Sequence, residues 1–162
     1  MSTGKPAAGQ RPRRKATTQR RTPPPPASVR SGIRPAADPD DVRLERGKGS
    51  TERGAGPGGG FWHIYVGDTR AGSIYINVID EPPIGKHASI QIQVNQTWQG
   101  RGVGRVAYRL ASEASDHDTI YAHMRKSNLA SRAAAAHAGY TPIDDESVRQ
   151  LVMVWKRPTR RR

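Results

Sequence analysis

Cysteine is absent from the 162 residues. That excludes a disulfide framework, a thiolate metal centre and a cysteine nucleophile. Long apolar runs are also missing: nothing approaches the roughly 20 residues of a membrane-spanning helix, and residues 1–30 carry no apolar segment of the secretory kind. The expectation is a soluble, cytoplasmic protein with no membrane contact. The five histidines, His63, His87, His117, His123 and His137, show no metal-ligand spacing, and there is no Gly-x-Ser-x-Gly nucleophile turn. Acidic residues are missing from residues 1–37, which hold nine Lys and Arg and no Asp or Glu.

The formal charge of +13 therefore sits at the ends. By segment it is +9 over residues 1–37, −1 over 38–60, zero over 61–155 and +5 over 156–162. A neutral body between two cationic ends suits contact with nucleic acid or the ribosome, because Lys and Arg gain by displacing counterions from phosphates. Arg-rich ends that only keep the chain in solution are the alternative. Residues 1–37 include four consecutive prolines, Pro23 to Pro26, and almost nothing to bury, so they are expected as a disordered basic tail. Residues 38–60 are expected as a linker. Within it residues 41–46 alternate apolar and charged like a short edge strand, and residues 54–60 are glycine-rich and flexible. Residues 158–162 form a second basic tail.

From Phe61 the pattern changes. Residues 61–66 and 73–79 are rich in β-branched and aromatic residues and pair as a hairpin across a turn. Residues 89–94 alternate as a third strand, and Val106, Leu110 and Ala114 then fall one helical turn apart. A strand over 119–124 follows. Ser127 and Asn128 can cap a helix over 129–137, which Ala138-Gly139 ends, and residues 141–143 and 150–155 close as a hairpin. The order from residue 61 is β-β-β-α-β-α-β-β.

Between the third strand and first helix lies Gln99-Gly100-Arg101-Gly102-Val103-Gly104-Arg105. Three alternate glycines let the backbone approach a ligand, and the helix N-terminus adds free N–H groups and a positive dipole end. This suits a phosphate or pyrophosphate. It is not the G-x-G-x-x-G of a dinucleotide fold, because Arg105 stands at the third glycine, nor a P-loop, because Arg105-Val106 replaces Lys-Ser/Thr. Gln-x-x-Gly-x-Gly does fit, at Gln99, Gly102 and Gly104. On these residues the chain resembles the GNAT superfamily of acetyl-CoA-dependent N-acetyltransferases. A second motif agrees, since Asn128 opens the helix after the fourth strand and Gly139-Tyr140 follows it. The resemblance covers residues 61–157 and implies an α/β domain built on a mixed, mostly antiparallel sheet.

The resemblance also assigns roles. Backbone groups of Ile92, Gln93 and Val94 are expected on the pantetheine arm of acetyl-CoA. The loop Gln99, Gly100, Arg101, Gly102, Val103, Gly104 and Arg105 is expected on the pyrophosphate, and Asn128 and Ser131 on the arm, with helix capping as the other reading of Asn128. His123 stands five residues before Asn128, where many members place a glutamate base. It is the candidate base, and a satisfied sheet histidine is the alternative. The usual acid, a tyrosine seven residues after the asparagine, is replaced by Ala135. Tyr140 is the candidate substitute, with Tyr108 and His137 also available. The two helices that usually wall the acceptor site are replaced by the glycine-rich stretch, so the groove is open or completed by another chain, for which a homodimer is the candidate. An open groove favours a macromolecular acceptor amine, such as a protein N-terminus or Lys. The rival functions are a catalytically idle CoA-binding module, suggested by Ala135, and a polyanion-binding protein, suggested by the tails.

Overall fold

Seven strands join in one sheet in the order β1-β2-β3-β4-β5-β7-β6. They are β1 (Val42–Gly47), β2 (Gly60–Val66), β3 (Thr69–Glu81), β4 (Gly85–Val94), β5 (Thr119–Met124), β6 (Thr141–Pro142) and β7 (Leu151–Lys156). Among the described residues two α-helices complete the fold: α1 (Val103–Ala114) connects β4 to β5, and α2 (Leu129–His137) connects β5 to β6. This is a computed structural model, and it describes residues 34–159. Every neighbouring pair is antiparallel except β4 with β5, the two strands bridged by the α1 crossover. The order expected from residue 61 is the order observed, and residues 42–47 add the edge strand before it.

Strand alternation divides the sheet into two chemically different faces. Ile64, Ile74, Ile76, Ile90, Ile120 and Met153 are buried on the face that the helices cover. α1 sets Val103, Val106, Ala107 and Ala111 against them. The stripe expected through Val106, Leu110 and Ala114 is thus rotated: Leu110 is half-buried and Ala114, at the helix end, is exposed. The other face carries Ser73, Tyr75, His87, Ser89, Gln91, Tyr121 and His123, with no helix over it among the described residues.

Residues 48–59, within the stretch expected as a linker, form the loop between β1 and β2. Asn77 clamps it from β3: Gly54 donates its amide to Asn77 Oδ1 at 2.7 Å, and Asn77 Nδ2 donates to the Glu52 carbonyl at 2.7 Å. Gly54 adopts φ +80°, and a Cβ there would stand 2.3 Å from the Gly60 carbonyl oxygen. Its glycine is demanded by close packing, not by looseness. Of the stretch expected as a disordered tail, residues 1–33 lie outside the described residues. Residues 34–37 are described, and Ala37 is buried. Residues 160–162 of the C-terminal tail also lie outside the described residues. No helix among the described residues is long and apolar enough to cross a membrane.

Candidate functional site

The end of β4, the glycine loop, the first turns of α1 and one side of α2 enclose a cleft of about 560 Å³. Its floor follows from the sequence. Gly100 and Gly102 take φ +71° and +82°, where a side chain costs roughly 1–2 kcal/mol. Gly102 is also the N-cap of α1, and no side chain caps the helix. The first-turn amides are therefore open to an anion, with the positive end of the helix dipole behind them. Gln99 holds the loop from the strand side, its Nε2 donating to the Val94 carbonyl at 3.0 Å. At the far wall a Cβ on Gly104 would stand 3.3 Å from Ala134 Cβ, so glycine here lets α2 close against α1.

Most residues expected on the cofactor meet at this cleft. Ile92, Gln93 and Val94 line it from β4; Gln99, Gly100, Gly102, Val103, Gly104 and Arg105 line it from the loop and helix; Asn128 and Ser131 line it from α2. Arg101 does not. Its guanidinium lies 4.2 Å over the Trp98 ring and its Nε donates to the Pro35 carbonyl at 2.8 Å. Asn128 lines the cleft, and its Oδ1 accepts from the Ser131 amide at 3.1 Å as the N-cap of α2. Trp98, which the sequence reading passed over, also lines the cleft.

The sheet itself splits beside this cleft. β4 and β5 pair only at Ala88 with Ile120, Ser89 with Tyr121 and Ile90 with Ala122. Beyond Ile90, residues 91–94 pair with β3 alone and, among the described residues, face no strand on the β5 side. A row of backbone amides and carbonyls is thus left for an extended, amide-bearing ligand to pair with. The groups present fit the pantetheine and pyrophosphate of coenzyme A: a strand edge for the amides and an uncapped helix start for the phosphates.

His123 stands one residue past the last β4–β5 pair, on the face without helices. Its Nε2 lies 2.8 Å from His87 Nε2, and His87 Nδ1 lies 2.6 Å from the Gly85 carbonyl. Burial holds the His123 imidazole below its ordinary value, the neighbouring His87 adds to this, and Glu81 opposes it. His87 had no signal in the sequence, since 36 residues separate it from His123.

The tyrosines fall otherwise than expected. Tyr140 is in the core at 2 % exposure, its hydroxyl 2.6 Å from Ser112 Oγ, and it does not line the cleft. Gly139 follows the end of α2, and Tyr140 is buried behind it. Tyr108 and His137 do line the cleft. Burial pushes the Tyr108 phenol up to about 12, against a smaller opposite pull from Ser131. Ala135 is fully buried, so its position offers no donor.

A strand–glycine loop–helix anion site beside a split in a mixed sheet defines a class of acyl-CoA-handling folds. The sequence matches the acetyltransferase (GNAT) family over residues 30–140. The chain belongs to that family. Among solved structures, it is similar to a Bacillus subtilis acetyltransferase in complex with CoA, at 15% identity, covering 71% of this chain and 98% of that one with a TM-score of 0.52. It is also similar to the aminoglycoside acetyltransferase AAC(6')-Ib in complex with coenzyme A and kanamycin, at 16% identity, 62% and 67% coverage and a TM-score of 0.50. Mycobacterium smegmatis RimJ in complex with CoA-disulfide aligns at 19% identity over 61% of this chain, with a TM-score of 0.49. The alignment spans 53% of the RimJ chain, about half its length. No curated protein matches the sequence.

Proposed function

We propose that the chain transfers acetyl from acetyl-CoA to a primary amine by direct attack. The carrying observation is the sheet split: the cleft for the cofactor lies on the helix side of β4, and His123 lies at the same split on the opposite, open side. When bound, acetyl-CoA supplies an activated acyl carbon; the amine forms the C–N bond, the C–S bond breaks, and the thiolate leaves.

The chain's own groups divide the remaining work. The backbone of residues 91–94 and Asn128 hold the arm in line, which places the carbonyl against the amine and removes the entropy of a bimolecular encounter. The loop amides hold the pyrophosphate. His123 takes the proton that the attacking amine must lose, directly or through one water. Tyr108 serves the thiolate as a hydrogen-bond donor. It does not surrender its proton, because a phenol at about 12 is a far weaker acid than a thiol of about 8.5. Solvent supplies that proton. The uncovered sheet face leaves room for a macromolecular acceptor, a protein N-terminus or Lys.

The test is thiol release from acetyl-CoA by the full chain. It is measured against peptides with free and blocked N-termini, a Lys-containing peptide, a polyamine and an aminoglycoside, with products weighed by mass spectrometry. Acetylation of one amine class supports the reading. Tight acetyl-CoA binding with no acetylated amine would favour a second reading, a CoA-binding module without turnover, which the buried Ala135 methyl at the usual acid position supports.

A further inference from the structure

One carbonyl fixes the roles of four nitrogens on the open face of the sheet. The Gly85 oxygen can only accept, so His87 Nδ1, 2.6 Å away, carries a hydrogen. A neutral His87 then presents a bare Nε2. The 2.8 Å contact to His123 Nε2 requires that the hydrogen between them belong to His123. His123 is left with its lone pair on Nδ1. Among the described residues His123 Nδ1 has no hydrogen-bond partner, and the His123 side chain is only partly buried.

We propose that His87 and His123 act as one proton-accepting unit, with His87 as a positioning residue that locks His123 in the Nε2–H tautomer and shares the proton His123 takes up. Its catalytic use rests on the transferase reading above; the tautomers do not.

The proton balance is simple. An acceptor ammonium gives one proton to His123 Nδ1, leaving a neutral amine. The Nε2 hydrogen of His123 can then pass to His87 Nε2, so that the cation rests on His87. Both N–H groups of that cation have acceptors, the Gly85 carbonyl and the now bare His123 Nε2. The contact between the rings becomes charge-assisted, a bond roughly twice as strong as its neutral form. A second proton would set two cations 2.8 Å apart and is disfavoured. The unit therefore takes one proton and returns it through Nδ1, because His87 is only 6% exposed.

The surroundings fit this role. Tyr121 packs edge-on against His87 from β5, with ring centroids 5.0 Å apart. Val152, the β7 partner of His123, carries no charge. Glu81, at the end of β3, is the charged group acting on His123 and favours the cation. Burial, with a smaller contribution from His87, holds His123 below its ordinary value, which favours a bare lone pair on His123.

The test uses the full-length chain labelled with 15N at histidine, and long-range 15N–1H spectra taken across pH for the wild type, His87→Phe and His87→Gln. The expected result is Nδ1–H for His87, Nε2–H for His123, and a single protonation step seen on both rings at one midpoint. In His87→Phe, His123 should become a tautomer mixture with a shifted midpoint. In His87→Gln the amide oxygen can still accept, and the Nε2–H form should persist. With an acetylated amine in hand, His87→Phe should lower kcat about tenfold with the KM for acetyl-CoA unchanged, and His87→Gln should recover most of the loss. An Nε2–H His87, separate midpoints in the wild type, or a His123 tautomer unmoved by His87→Phe would overturn the proposal. Absence of transfer in every variant would sink the transferase reading alone, and the spectra would still decide for or against the pair.

Discussion

Ala37 donates its amide to the Arg101 carbonyl at 2.9 Å, and Arg101 returns its Nε to the Pro35 carbonyl at 2.8 Å. Arg34 adds a bond to the Gln96 carbonyl. These contacts brace the glycine loop from outside and turn the Arg101 guanidinium onto Trp98, away from the cleft. Each bond contributes about 1 kcal/mol net. A chain beginning at residue 38 is therefore expected to bind acetyl-CoA several-fold more weakly than one beginning at residue 34, by calorimetry. Equal affinities would show that the loop holds its shape unaided.

Gly102 is the position where the loop tolerates least. It takes φ +82°, and an added Cβ would stand 3.2 Å from the Arg105 guanidinium. Gly102→Trp adds backbone strain of about 1–2 kcal/mol and fills the space at the helix start. The expected outcome is loss of detectable acetyl-CoA binding with the circular dichroism spectrum unchanged. Retained affinity would mean that the phosphates are held elsewhere.

Two tyrosines separate stability from chemistry. Tyr140→Phe removes a buried hydroxyl pair, but Ser112 Oγ still donates to the Tyr108 carbonyl at 2.7 Å. The cost should be about 1 kcal/mol in denaturant unfolding, with kcat unchanged. Tyr108→Phe removes a donor that lines the cleft and should lower kcat roughly tenfold. The reverse pattern, with Tyr140→Phe slowing transfer and Tyr108→Phe silent, would return the role to Tyr140.

Local patterns carried the parts of the site that are local. Gln99 to Arg105 declare an anion loop because glycine spacing, strand and helix are contiguous, and Asn128 declares a cap for the same reason. What depends on register was hidden. The β4–β5 split begins after Ile90 because pairing stops there, and no residue type marks the stop. The glycines of residues 54–60 suggest freedom, and nothing local signals that Asn77, 23 residues away, bonds the Gly54 amide. Tyr140 and Tyr108 are equally plausible donors by composition; both are buried, and only their packing shows that Tyr108 lines the cleft while Tyr140 bonds Ser112. His87 reaches His123 across the sheet by a path that spacing cannot encode.

His123 is the residue on which the proposed chemistry turns. His123→Ala should lower kcat by about 10²–10³-fold, the usual contribution of a positioned base, while acetyl-CoA affinity stays near wild type because the residue does not line the cleft. The pH profile gives an independent sign. The base must be deprotonated, so kcat/KM rises with pH through its midpoint. Burial and His87 lower that midpoint below the ordinary imidazole value. The ascending limb should therefore lie on the acid side of 6.5, the unperturbed value, and vanish in His123→Ala. A limb above 6.5, or one that survives the substitution, would assign the proton to another group.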